Sequence, residues 1–440
     1  MLASIVIPLW NGASVITSCL EAVYANSGER LLEVICVDNA SQDNSADLVA
    51  EHFPQVRLIP QPVNMGFAGG VNIGIEAAQG DLFVLLNQDC IVQPGWLDAL
   101  VRAFEEYPQF GIAGCLIFNP DGTLNHAGAM ISYPDAYGVH LTEIRDSKPW
   151  EAEYVTGASF ALRRQTWLAV GRFDEGYYPA YYEESDYCYR ARQKGFKIAC
   201  VPGAYVVHLF SSREWQKDPI KHAANQHLSR YRFVCKHFRD HELREFFEVE
   251  YAAVESERYF EQAIGRTLAA RETLRRLADI LERRRTELGE DVTPLRWRLL
   301  QVGFTQISQR SFAVAENLEP PHSYSVSMDF SEEWGNITQR LKSLQQQEHD
   351  LLARIYFKHP SSVGPEPYLK RLFRLYMLRP LSFLVGRDYL LLSQLNTVHV
   401  ARLDAMEQAI QYIDRVQWAQ RKQIERSLIL FKILTEYEYR

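Results

Sequence analysis

The sequence predicts an α/β domain with a Rossmann-like, mostly parallel central sheet, followed by a mainly α-helical region. Three observations carry this. Short β-branched runs alternate with helical segments over the first 120 residues, the runs are mainly apolar rather than alternating, and beyond about residue 238 the chain turns charged and helix-prone. Strands that are apolar on both faces need helices over both, which is the signature of parallel pairing. At roughly 150 residues per domain, 440 residues make about three segments. We place them at 1–238, 239–317 and 318–440.

Taken in order, Ser4–Leu9 is a continuous strand run and Ala13–Ala25 has helical spacing. Leu31–Val37 is a second buried strand, Ser45–His52 a helix, Val56–Ile59 a third strand, Gly70–Ala78 a helix and Leu82–Leu86 a fourth strand. From Ile112 to Val207 the pattern loosens into short strands and turns around one clear helix, Glu184–Lys194. Glu242–Leu288 reads as an amphipathic helix with Val254, Ile264, Leu268, Leu274, Leu277 and Leu281 on its apolar stripe. Proline-bearing loops are expected at Leu318–Phe330 and His359–Pro367, with helices over Ser331–Phe357 and Tyr368–Tyr439.

Composition removes several function classes. With 47% hydrophobic and 23% charged residues the chain is an ordinary globular one, not disordered or fibrous. Lys and Arg number 47 against 55 acids, a net charge of −8, so no basic field draws it to nucleic acid. Seven scattered cysteines, never in C-x-x-C spacing, argue against a disulfide framework or zinc ribbon and suit a reducing cytosol. No basic segment precedes the first apolar run, and no apolar stretch reaches the ~18 residues of a spanning helix. The expected location is cytoplasmic, with any attachment peripheral at the inner face of the membrane.

Ligands of open parallel sheets sit beyond the carboxyl ends of strands. Those ends carry Pro8-Leu9-Trp10-Asn11, Val37-Asp38-Asn39-Ala40-Ser41 and Asn87-Gln88-Asp89. Asp38 suits either a hydrogen bond to a nucleotide or a turn carboxylate. The glycines in Asn64-Met65-Gly66-Phe67-Ala68-Gly69-Gly70-Val71-Asn72 precede a helix, where backbone amides can approach a diphosphate or simply turn tightly. Asp89, at a strand end, suits Mg²⁺ or Mn²⁺, hard ions that take oxygen ligands. Glu183-Glu184-Ser185-Asp186 follows an aromatic loop, Tyr177 to Tyr182. Adjacent acids there either raise one another's pKa, as a general base requires, or favour a helix N-terminus. His208 closes an apolar run, and it and His126 read on composition alone as structural.

These motifs, in this order, with Val155-Thr156-Gly157-Ala158, Phe173-Asp174-Glu175, and the stretch from Gly195-Phe196 to His208, resemble the inverting family 2 glycosyltransferases of GT-A fold. They look most like the rhamnosyltransferase branch that builds bacterial surface polysaccharides. The resemblance implies that Pro8, Asn11, Asp38, Asn64, Gly66, Asn72 and Asn87 line the nucleotide site. Asp89 becomes the metal acid of a D-x-D element whose first acid is here Asn87, and His208 a second metal ligand for Mg or Mn. Glu184 or Glu183 becomes the catalytic base, with Thr156, Gly157 and Asp186 near donor and acceptor. The implied partners are a dTDP- or UDP-linked sugar and a glycan, lipid-linked in relatives.

Two other classes share some of these features. A sugar nucleotidyltransferase would carry a basic glycine-rich N-terminus, and Trp10–Ser18 holds no lysine or arginine. A degenerate scaffold protein would act through its helices. In the helical half, 368–379 mixes cations, aromatics and leucines as an interfacial helix does, although packing between helices explains it as well. Leu403, Met406, Ile410 and Ile413 form a short seam suited to pairing helices, within a chain or between copies.

Overall fold

The computed structural model describes residues 1–209 and 218–319. The expectations for 320–440, including the 368–379 segment and the 403–413 seam, lie outside the described residues.

The alternating pattern folds into β1 (Ala3–Leu9), α1 (Ile16–Asn26), β2 (Leu31–Asp38), α2 (Ser45–His52), β3 (Arg57–Pro60), α3 (Gly66–Ala77) and β4 (Leu82–Leu86). Next come β5 (Cys90–Val92), α4 (Trp96–Glu106), β6 (Phe110–Phe118), β7 (Leu124–His126), β8 (Ala129–Ile131), β9 (Gly138–His140) and β10 (Trp150–Glu151). Then follow β11 (Ser159–Arg163), α5 (Arg164–Val170), α6 (Glu183–Gln193) and β12 (Lys197–His208). The main sheet runs β10-β12-β6-β11-β4-β1-β2-β3, with β5 on β12 and β7 on β6. β4, β1, β2 and β3 are mutually parallel, as are β6 and β12; β11 inserts antiparallel between β4 and β6.

Each inner strand serves two cores, which is why its sequence is apolar without alternation. Ile5, Ile7 and Val84 pack with Leu20 of α1 and Leu100 of α4. Val6, Phe83 and Leu85 pack on the other face with Val71 and Ile75 of α3 and Tyr187 of α6. Every residue of β4 is buried.

Two boundaries differ from expectation. Helix α3 starts at Gly66 rather than Gly70, so the glycine run is its first turn and not a separate loop. Its glycines answer packing: a Cβ on Gly74 would stand 2.2 Å from Val6 Cγ1, and one on Gly70 2.8 Å from Asn39 Nδ2. The segment 242–288 is two helices, α8 (Asp240–Glu255) and α9 (Phe260–Leu288), preceded by α7 (Pro219–His237) and followed by α10 (Pro294–Ala315). The break has a local cause, since the Glu257 carboxylate accepts the backbone N–H groups of Arg258 and Tyr259 and ends one helix before the next begins.

The chain divides into two compact units, Met1–Ala253 with Ala269–Phe304, and Val254–Leu268 with the residues from Thr305 onward. All side chains discussed below belong to the first. No helix among the described residues is long and apolar enough to cross a membrane.

Candidate active site

Three strand ends meet through short polar contacts. The Gln88 amide clamps the end of β1, accepting from Trp10 N at 2.8 Å and donating to Trp10 O at 3.0 Å. Asn11, left-handed at φ 49°, takes the Gln42 N–H on its side-chain oxygen and donates its own N–H to Ser41 Oγ. The buried Asp38 carboxylate accepts from Ser41 N at 3.1 Å, which is the turn bond its position suggested. Asn64 Oδ1 receives the Gly66 N–H at 2.7 Å, tying the start of α3. Pro8 is half-buried on the last turn of β1. The Asn87 backbone N–H donates to Ala158 O.

Asn39 pins this end from inside. Its Nδ2 donates to Gly66 O and its Oδ1 accepts from Met65 N. The sequence offered a signal for it, an amide next to Asp38 at a strand end, but its partners lie 26 and 27 positions away. Asn72, expected at the nucleotide, is fully buried, donating to Phe173 O and Glu175 Oε1 and accepting from Phe173 N, so its amide is engaged within the protein.

The metal candidates come together through β12. This strand pairs antiparallel with β5 so that His208 faces Cys90, and His208 Nε2 lies 3.0 Å from Asp89 Oδ1. Asp89, Cys90 and His208 can place one ligand atom each within 4.8 Å of one another. The carboxylate fits Mn²⁺ or Mg²⁺ in donor chemistry, whereas the imidazole favours a transition ion such as Mn²⁺ over Mg²⁺. Cys90 fits less well: burial and the neighbouring Asp89 push its thiol pKa far up, and its S–H is spent on Ala158 O.

The turn Val155–Ala158 joins this end to the glutamates. Ala158 O holds Asn87 N, the Gly157 N–H is donated to the Glu184 carboxylate, and a Cβ on Gly157 would stand 2.8 Å from Phe67 at the start of α3. Thr156 lies half-buried on the same turn, its N–H reaching the buried His126 ring. Glu183 and Glu184 open α6. Burial raises the pKa of both; for Glu183 the rise is large, adds repulsion from Glu184, and leaves one carboxyl oxygen without a partner. Glu183 is 2% exposed, whereas Glu184 is only half-buried.

Asp186, expected near donor and acceptor, is likewise engaged within the protein. It is fully buried and ion-paired with Arg190 at 2.8 Å and Lys236 at 2.7 Å, with His237 Nε2 at 2.7 Å. Burial alone would raise its pKa, but Lys236 and Arg190 hold it well below the usual range. Asp174, Asp186 and Glu287 converge as a metal site would, yet the Lys236 ammonium stands 2.6 to 3.0 Å from all three and fills the position.

Residues 4–168 match the sequence profile described as Glycosyl transferase family 2. The chain is 29% identical over 234 residues to the N-acetylglucosaminyl-diphospho-decaprenol L-rhamnosyltransferase of Mycobacterium tuberculosis, covering 47% of this chain and 76% of that one. It is 26% identical over 220 residues to the O-antigen biosynthesis protein RfbC of Myxococcus xanthus, covering 47% of this chain and 17% of that protein. Among solved structures it is similar to GalNAc-T7 with UDP, GalNAc and Mn²⁺, with a TM-score of 0.48, 18% identity, and 58% of this chain and 51% of the other covered.

Proposed function

We propose that this chain, which belongs to the family 2 glycosyltransferases of GT-A fold and to their rhamnosyltransferase branch, transfers a rhamnose or related hexose by single displacement with inversion. The donor is a dTDP- or UDP-sugar, and the acceptor a hydroxyl of a growing surface glycan. The M. tuberculosis relative is named for a decaprenyl-diphosphate-linked N-acetylglucosamine, which supports a lipid-linked acceptor and a peripheral position at the membrane.

The observation that carries this reading is the placement of Glu184. Its carboxylate, largely buried, receives the Gly157 N–H on the same turn whose Ala158 carbonyl fixes the end of β4 beside Asp89. Glu184 takes the proton from the acceptor hydroxyl, whose oxygen attacks the anomeric carbon from the face opposite the nucleotide. Glu183, buried and repelled by its neighbour, stays protonated and leaves the charge to Glu184. Pro8, Asn11, Asp38 and Asn64 border the nucleotide, and Asn87 borders the diphosphate. Asp89 and His208 would hold a divalent cation, which when bound neutralises charge on the departing diphosphate.

Glu184→Gln should cut transfer by about 10²- to 10⁴-fold, the usual worth of a general base, while the nucleoside diphosphate still binds. The raised pKa of Glu184 has a definite consequence for rate. The base form appears only as pH climbs past a value above 4.5, so the acid limb of kcat lies above the ordinary glutamate range. Near-normal turnover by Glu184→Gln would contradict the assignment. The match to a glycosyltransferase profile over 4–168 supports the transferase reading over the nucleotidyltransferase one.

A further inference from the structure

Two aspartates bracket the segment that delivers the glutamates, and one lysine holds both. Asp174 precedes the aromatic turn and Asp186 lies in the first turn of α6; Lys236 Nζ is 3.0 Å from the first and 2.7 Å from the second. Arg232 grips Asp174 with two parallel bonds of 3.0 and 2.9 Å. Arg190 grips Asp186 and also donates to the carbonyls of Val170 and Arg172. Glu287 completes the cluster at 2.6 Å from Lys236. Three acids therefore face three fixed cations, and Asp174, Asp186, Arg190, Arg232 and Lys236 are all nearly or fully buried.

The bracketed segment is strained. Tyr181 and Tyr182, immediately before Glu183, both hold positive φ, at 85° and 69°. For side chains with a Cβ such a conformation is disfavoured and persists only where its surroundings over-determine it. Helix α7 supplies that constraint along a single face. His222 meets Tyr181 Oη at 3.2 Å, Ser229 Oγ donates to Ala180 O at 3.1 Å, and Arg232 and Lys236 take Asp174 and Asp186. Positions 222, 229, 232 and 236 fall at helical spacing, so one stripe of α7 templates the whole segment.

We infer that α7 is part of the catalytic machinery, with Lys236 as the positioning residue that sets the Glu183–Glu184 turn against the nucleotide end. The inference rests on the reading of Glu184 as base. It adds that the first helix after the sheet domain acts on rate rather than only on stability.

The test is the double variant K236M/E287Q in the full chain, which removes the bridge while leaving two acids against two arginines. Ser229→Ala, a gentler cut on the same stripe, and Glu184→Gln are run beside it. Each is read by its thermal melt, by Mn²⁺-dependent binding of UDP and dTDP, and by kcat, donor KM and the pH profile of kcat. The double variant should melt cooperatively and bind the nucleoside diphosphate within about twofold of wild type. Its kcat should fall about 10- to 100-fold, the effect of misplacing a reacting group by an ångström, with donor KM unchanged and the acid limb moved. Ser229→Ala should lose kcat several-fold with KM unchanged.

A lowered melting temperature with full kcat in both variants would overturn the inference, as would loss of the cooperative melt in both, either leaving the cluster a stabilising role alone. An inactive Glu184→Gln beside a fully active double variant would remove the role of α7 and keep the base. An active Glu184→Gln would remove both.

Discussion

Glu183 and Glu184 are neighbours in sequence with different surroundings, and a helix start is what separates them. Both pKa values are raised by burial, but that of Glu183 far more, with repulsion from Glu184 added, whereas the Gly157 amide offsets part of the rise at Glu184. The pair was legible as a candidate base from its aromatic context, but which member is available depends on the direction of α6. Asp186 shows the opposite limit. Its spacing resembles a ligand, and only the partners from α7, some fifty positions on, reveal it as a buried ion-pair member. Asn72 is similar, since a glycine-rich stretch marks a phosphate site as readily as it marks tight packing. Asn72→Ala strands the N–H and C=O of Phe173 in a buried site and should cost about 2–4 kcal/mol of stability. Chemical denaturation checks this; a loss below half a kcal/mol would contradict the clamp.

At the scale of elements, strands β1 to β4 and α2 were readable because parallel strands buried on both faces leave an unmistakable apolar run. The end of β12 was readable only as an apolar stretch before His208, because its place beside β5 is set by pairing across more than a hundred positions. Helix α7 escaped sequence reading because the stripe that contacts Asp174, Ala180, Tyr181 and Asp186 is polar and looks like a solvated face. That stripe makes the fold sensitive to acid. His237, pushed down to about 4 mainly by burial, binds no proton in the fold between pH 4 and 6.5, whereas the unfolded chain does. Stability therefore falls as pH drops through that window. Asp174 and Asp186, whose pKa values are depressed against burial by Lys236, Arg232 and Arg190, add a further loss below the unfolded value of 3.8. Glu183, with a raised pKa, works the other way, gaining stability as pH falls toward 4.5. His237→Gln should flatten the dependence of melting temperature on pH between 4 and 6.5; an unchanged slope would contradict the buried neutral imidazole.

For the whole molecule, the division of labour is the main result. The sheet presents the proposed nucleotide end through β1, β2 and β4. The Val155–Ala158 turn links that end to α6, and α7 holds the strained approach to Glu183 in place. The family profile ends at 168, so the proposed base and α7 both lie beyond the stretch that the profile matches. The direct measurement is a crystal structure with Mn²⁺ and a dTDP- or UDP-sugar analogue. The account predicts diphosphate oxygens beside Asp89 and His208, and the Glu184 carboxylate on the far side of the anomeric carbon with room for a hydroxyl within about 3–3.5 Å of that carbon. A nucleotide seated away from the ends of β1 and β4, or Glu184 shut off from the sugar by the protein itself, would contradict it.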